Sequence, residues 1–177
     1  MTSVPGVRNV RIGGAMLRLL PHNCFACGSL NTNGLHLELH AEDGRSWTDL
    51  TLAERFEGWE GMAHGGIICT ILDEVMAWAV VDSDLWGVTA RMSVEFKKPV
   101  PIGRPLRGEG RVVEAKRRIV QTEGVLMDAA DGTVLARAEA VFVGATDARK
   151  DELKARYGFR LDPDAQAATP GPVDIAS

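Results

Sequence analysis

Residues 65–81, GGIICTILDEVMAWAVV, contain no proline and, after Gly66, no glycine, and apolar side chains fill almost every helical position. A helix that is apolar on most faces is not stable on a surface, so the rest of the chain has to enclose it. The residues that follow change period. GVTARMSVEFKKPV, PLRGEGRVVEA, IVQTEGVLMDA and TVLARAEAVFVG alternate with period two and are separated by PIG, KRR and DG breaks. Upstream, GLHLELHA and SWTDLTLA alternate as well, and EDG between them predicts a hairpin. The order is two strands, one buried helix and four strands. This is an α+β chain in which a curled antiparallel sheet wraps a single helix.

The flanks are less regular. Residues 7–20 fit either a first strand or a short amphipathic helix. PHNCFACGSLNTNG (21–34) is rich in turn residues, and 54–64 reads as a loop. KDELKARYG (150–158) predicts a short surface helix, and the Ala-, Pro- and Asp-rich stretch 162–177 is expected to be disordered. The expected organisation is an N-terminal extension (1–20), one domain (21–146) and a C-terminal helix with a tail (147–177). A chain of 177 residues is long enough for one substantial core.

Lys and Arg total 20 against 24 Asp and Glu, a net charge of −4, which argues against a nucleic-acid partner. An anionic small molecule would need a local basic patch. No stretch approaches the roughly 18–20 apolar residues of a membrane span. IGGAMLRLL, broken by Arg18, does not read as a secretory signal, so a cytoplasmic protein without a membrane partner is expected. Three cysteines, an odd number, disfavour a disulfide framework. Cys69, among isoleucines, is expected in the core.

The helix entry carries the chemistry. A helix N-terminus offers unpaired N–H groups and partial positive charge, and Gly65–Gly66 lets a ligand oxygen approach the backbone. That is a candidate oxyanion site. Asp73 lies two turns on, inside the apolar segment, with small same-face neighbours Cys69, Thr70 and Ala77 and the larger Met76. Desolvation should raise its pKa and suit it to act as base or nucleophile. Glu74 points about 100° away and is expected to meet solvent, a strand or a partner chain. Read from spacing alone, His64 is a capping residue.

The stretch GMAHGGIICTILDEVMAWA resembles the hotdog-fold thioesterase superfamily, in particular the phenylacetate-degradation-like acyl-CoA thioesterases. It carries the G-x-x-H-G-G entry, Gly61 to Gly66, and an acidic residue nine positions after the histidine. PHNCFACGSLNTNGLHLEL is similar to the family's C-F-x-C-G…N-x-x-G-L opening, and GVTARMSVEFKKPVPIGRPL to the strand and turn after the central helix. The resemblance spans roughly residues 20–145. It implies a hotdog fold, an antiparallel five- or six-stranded sheet around one long helix. It also implies homodimers, or dimers of dimers, with the active site between subunits. By the same resemblance the catalytic residues are Gly65 (backbone N–H on the oxyanion), Asp73 (base or nucleophile), His64 (positioning) and Thr89 (holding the water, from the partner subunit). Where some relatives carry Asn or Gln six residues before the histidine, this chain has Gly58, within EGWEGMAHGG.

The implied function is hydrolysis of an acyl-CoA thioester. An oxyanion hole and a carboxylate-activated water suffice for it, with no metal and no cofactor beyond the CoA of the substrate. Gly66, Met62, Trp59, Arg91, Lys97 and Lys98 are the candidate substrate-binding residues. Arg104, Arg117 and Arg118 could add to a phosphate patch, and Met76 and Trp78 to an acyl tunnel. The alternative is a non-catalytic acyl-CoA-binding module for sensing or carriage; a hydratase fits the spacing less well. Cys24-x-x-Cys27 with His22, His36 and His40 nearby is read as a structural turn rather than a zinc site. Only one C-x-x-C is present, and His36 and His40, about 13 Å apart on an extended strand, could not share an ion.

Overall fold

The computed structural model describes residues 8–12, 15–158 and 160–161, so the expectation for 162–177 lies outside the described residues. The described residues begin with the antiparallel pair β1 (Arg8–Ile12) and β2 (Ala15–Leu19), followed by β3 (His40–Glu42) and β4 (Arg45–Thr51). A 3-10 turn (Glu54–Phe56) and a small ribbon of β5 (Glu57–Trp59) and β6 (Met62–Ala63) lead into α1 (Gly65–Asp82). Then come β7 (Gly87–Phe96), β8 (Pro105–Lys116), β9 (Ile119–Asp128), β10 (Val134–Gly144), α2 (Asp147–Tyr157) and β11 (Arg160–Leu161). Six strands form one antiparallel sheet in the order β3-β4-β8-β9-β10-β7, curled along α1. This is the hotdog fold, with six strands rather than five. Among the described residues no helix is long and apolar enough to cross a membrane.

The buried face of α1, with Ile71, Leu72, Val75, Met76 and Ala79 at 0% exposure, lies on a row of small residues. Ser46 (β4) pairs with Gly110 (β8), Gly110 with Gly124 (β9), and Gly124 with Ala138 (β10). A Cβ on Gly110 would stand 2.4 Å from the Val75 carbonyl oxygen, so helix and strand backbones are in direct contact there. The Ser46 hydroxyl donates to that same carbonyl. Larger side chains above and below the row, Leu106, Leu126 and Phe142, complete the core.

The turn between β3 and β4 holds Asp43 and Gly44 at positive φ (53° and 68°), as a two-residue hairpin needs. The strand expected over 34–41 shrinks to His40–Glu42. Leu35 and Leu37 spend their N–H groups on the carbonyls of Phe25 and Ala26, so 34–39 follows the loop instead of the sheet. The alternation survives: Leu37 and Leu39 are buried, Glu38 and His40 exposed. Residues 8–12 and 15–19 form strands, and Val10 and Leu19 belong to the core, so these strands pack onto the domain. The C-terminal helix starts three residues early, at Asp147, and is tied by Lys150 and Lys154 to Asp84. It ends at left-handed Gly158 (φ 69°).

Because the contact at Gly110 is with backbone, it cannot be relieved by a side-chain rotation. Gly110→Ala is expected to lower unfolding free energy by about 3 kcal/mol, read as a fall in the urea midpoint. A loss under about 0.5 kcal/mol would show that α1 has room to lift from the sheet.

Candidate active site

His64 sits in extended conformation (φ −63°, ψ 136°) just before α1 and is its N-cap. Its Nδ1 accepts the Gly66 N–H at 2.9 Å, and its carbonyl accepts from Ile67 and Ile68. With Nδ1 an acceptor, the neutral ring carries its proton on Nε2. The Gly65 N–H is left without a partner among the described residues. Of the two glycines singled out by sequence, Gly65 therefore keeps a donor for a ligand, whereas the N–H of Gly66 is already taken. Gly58 lies against the cap: a Cβ there would stand 3.0 Å from His64 Cα. A larger residue at 58 would push on the histidine.

Eight residues along the helix, Asp73 is half-buried, and its Oδ1 accepts a 2.6 Å hydrogen bond from Thr89 Oγ1. Thr89 and Asp73 are thus paired within one chain, so the same copy brings both to a site. A β-bulge makes this possible. On β7, Phe96, Val94 and Met92 pair with Ala136, Ala138 and Ala140, whose side chains point to the helix. Strict alternation would turn Ala90 inward and Thr89 outward. The register shifts between Val141 and Phe142, so that Arg91 faces Val141 and Thr89 faces buried Phe142. Ala90 is the extra residue, and Thr89 joins the inner face. Cys69, one turn before Asp73, is half-exposed beside it rather than in the core; burial pushes its thiol up, with the Asp73 charge adding to the effect.

Glu74 departs from expectation. Instead of meeting solvent or a strand, it turns to the loop 22–30, because the opposite side of α1 is where that loop packs. Burial pushes its carboxyl up to about 7, aided by the Cys24 charge and opposed by hydrogen bonds from Cys27 and from Trp78 Nε1 (3.0 Å). A hydrogen bond from Cys27 pulls the Cys24 thiol down to about 5, the N–H groups of Cys27 and Ala26 assisting against the effect of burial. The Cys27 thiol is pushed up by its bond to Cys24 and by burial. His22 Nε2 lies 3.4 Å from Cys27 Sγ.

The substrate-binding candidates divide by position. Trp59 (80% exposed) pairs with Met62 on the ribbon that leads into α1, and Phe96, not foreseen, lies 3.6 Å from where a Gly65 Cβ would stand. Lys97 and Lys98 continue from Phe96; Lys97 pairs with Glu95, and Lys98 and Arg104 stand near Asp131. Arg91 is not brought to Asp73. It lies on the outer face with Ser93, Gln121 and Glu139, because the alternation that turns Met92 inward turns it out. Arg104 also pairs with Asp128 at 2.9 Å. Arg118 donates to the Gly144 carbonyl (2.7 Å) at the β8–β9 turn, where Arg117 has positive φ. Met76 and Trp78 are buried in the core.

Residues 60–135 match the model of the thioesterase superfamily. A crystallised thioesterase superfamily protein is 29% identical with a TM-score of 0.65, over 68% of this chain and 60% of that one. A hypothetical thioesterase protein of Streptococcus pneumoniae TIGR4, solved with coenzyme A, is 21% identical with a TM-score of 0.56, over 58% of this chain and 82% of its own. Alanine variants of that protein were solved too, at an aspartate and at a threonine 16 positions later, the spacing of Asp73 and Thr89. An uncharacterized mitochondrial protein of Candida albicans (strain WO-1) is 34% identical over 91 residues, 50% of this chain. The match spans only 40% of that relative's length. Over residues 60–135, less than half of its length, this chain is similar to the thioesterase superfamily, and its six-stranded sheet around α1 has the fold of the solved thioesterases it resembles.

Proposed function

We propose that the protein hydrolyses acyl-CoA thioesters. The observation that carries this reading is the Thr89–Asp73 pair on a half-buried face of the helix whose entry leaves the Gly65 N–H unspent. Asp73 takes the proton of a water held by Thr89, and the water oxygen attacks the thioester carbon; alternatively Asp73 attacks directly and an anhydride is then hydrolysed. In either case negative charge grows on the carbonyl oxygen, where a backbone N–H stabilises it, and the CoA thiolate leaves. The coenzyme A in the S. pneumoniae structure, and the aspartate and threonine varied there, favour the same ligand class and the same pair.

Within one chain Gly65 and Asp73 are eight residues apart, about 12 Å along the helix axis. One tetrahedral centre needs both within about 3 Å. The proposed site therefore joins Gly65 of one copy to Asp73 and Thr89 of another, in a homodimer or a dimer of dimers. β7 is one of the two edge strands of the sheet, and Val88 (71% exposed) and Phe96 (53%) on it offer apolar surface for that contact. Lys97 and Lys98, beyond Phe96, are the proposed phosphate contacts, with Met62 and Trp59 at the acyl end. The proposed compartment is the cytoplasm.

Thiol release from a panel of acyl-CoAs, with enzyme-only blanks for the chain's own cysteines, tests this. Asp73→Asn should lower kcat by about 10²–10⁴ with its fold intact. Thr89→Ser should keep most of the activity and Thr89→Val lose most of it, since only the hydroxyl is in play. No turnover by any form, together with retained acyl-CoA binding, would replace the enzyme with a binding module. His64→Ala removes a cap and should lower stability by about 1 kcal/mol, seen as a lower melting temperature, while also lowering kcat through a loosened Gly65 N–H. Unchanged stability would show that the cap bond contributes little.

A further inference from the structure

We infer that Cys24, Cys27, Glu74 and His22 form a tetrahedral zinc site that ties the loop 22–30 to the far side of α1. The donor atoms of Cys24, Cys27 and Glu74 lie within 4.8 Å of one another, although Glu74 comes from a helix remote in sequence. His22 Nε2 stands outside this trio but 3.4 Å from Cys27 Sγ, and is the candidate fourth ligand. Tetrahedral zinc with sulfur and nitrogen ligands sets donor–donor separations of about 3.3–3.8 Å. The His22–Cys27 contact is already in that range, the three separations among Cys24, Cys27 and Glu74 need close by no more than about 1 Å, and the His22 ring has to move in toward Cys24 and Glu74 to complete the tetrahedron.

The surroundings orient each donor. His22 Nδ1 is 2.9 Å from the Leu20 carbonyl, so that nitrogen carries the proton and Nε2 presents its lone pair to the cluster. Glu74 Oε1 accepts from Trp78 Nε1 at 3.0 Å, fixing the carboxylate and leaving it capacity for an ion. The N–H groups of Ala26 and Cys27 turn onto Cys24 as the loop closes, and Gly28 N–H bonds the Cys24 carbonyl at 2.9 Å. A Cβ on Gly28 would stand 2.4 Å from Cys24 N and from the His22 carbonyl, so only glycine allows this knuckle. Three acidic donors so close repel one another once ionised, and a dication removes that repulsion. Two sulfurs select a borderline-soft ion over calcium or magnesium. His36 and His40, the histidines weighed from spacing, play no part. Glu74, the donor that completes the set, is invisible to a local motif.

The ion is structural. It lies about 100° around α1 from Asp73, so it neither touches the thioester nor depends on the hydrolase reading. The test uses the full reduced chain, stripped by chelator and titrated with Zn²⁺ and separately with Co²⁺. One ion per chain is expected, with the ultraviolet thiolate-to-cobalt band, the visible bands of tetrahedral cobalt, and a melting temperature that rises on zinc addition. Cys24→Ser should weaken binding by on the order of a hundredfold and Glu74→Gln by about tenfold, while Cys69→Ser and Asp73→Asn leave it unchanged. If the cysteine variant fails to fold, the wild-type cobalt spectrum still decides, because the charge-transfer band reports sulfur ligation directly. No saturable binding by wild type, no sulfur-to-cobalt band, or equal binding after Cys24→Ser would overturn the site. So would peroxide joining Cys24 to Cys27 as a disulfide equally fast with and without zinc, since that pair would be a redox device and not a ligand pair.

Discussion

The α1 backbone rests on the row Ser46, Gly110, Gly124 and Ala138, and the remaining architecture follows from how closely it does so. With no side chains between helix and sheet at Gly110, their separation is set by backbone contact, and the Ser46 hydroxyl fixes the helix along its axis. A helix held that near must be wrapped by strands that curve around it, which gives the two outer strands β3 and β7 their reach along its flanks. The same contact stops the helix from turning. Residues one position apart on it are therefore committed to different surroundings.

Asp73 and Glu74 show what that commitment does. One turns to the open flank beside β7, where Thr89 meets it; the other turns to the flank closed by loop 22–30 and Trp78. Two carboxylates in a segment otherwise built for burial are tolerated because each leaves the apolar face by a different side. The helix is a partition between the proposed reactive surface and the flank packed by loop 22–30, and each side is supplied by a separate part of the chain.

Much of this was legible in the amino-acid order. The largely apolar run of 65–81, the period-two segments after it and the Asp43–Gly44 turn define the helix, four of the sheet strands and one hairpin. These are local signals that tertiary packing did not override. Gly65 and His64 were legible because capping is local too. The rest depended on long-range facts. Leu35 and Leu37 alternate like a strand, yet their backbone bonds go to Phe25 and Ala26, a competition that no periodicity records. Glu74 meets Cys24 and Cys27 across a gap no motif spans. Thr89 lies inward and Arg91 outward because of a register shift that the residues of β7 alone do not announce.

That shift has a consequence for how β7 can change. From Phe96 to Met92 the strand is read in one frame, whose inner letters fill the core; beyond Ala90 it is read in another, whose inner letter is Thr89. Packing is encoded in the first frame and the Thr89–Asp73 hydrogen bond in the second, with a single unpaired residue as the boundary. Ironing out the bulge so that Ala90 paired with Phe142 would leave the packed part of β7 untouched, while turning the Thr89 hydroxyl to the far side of the sheet. A more regular strand would thus be an emptier one, and in this chain the irregularity is what lets a packing element also carry a reagent.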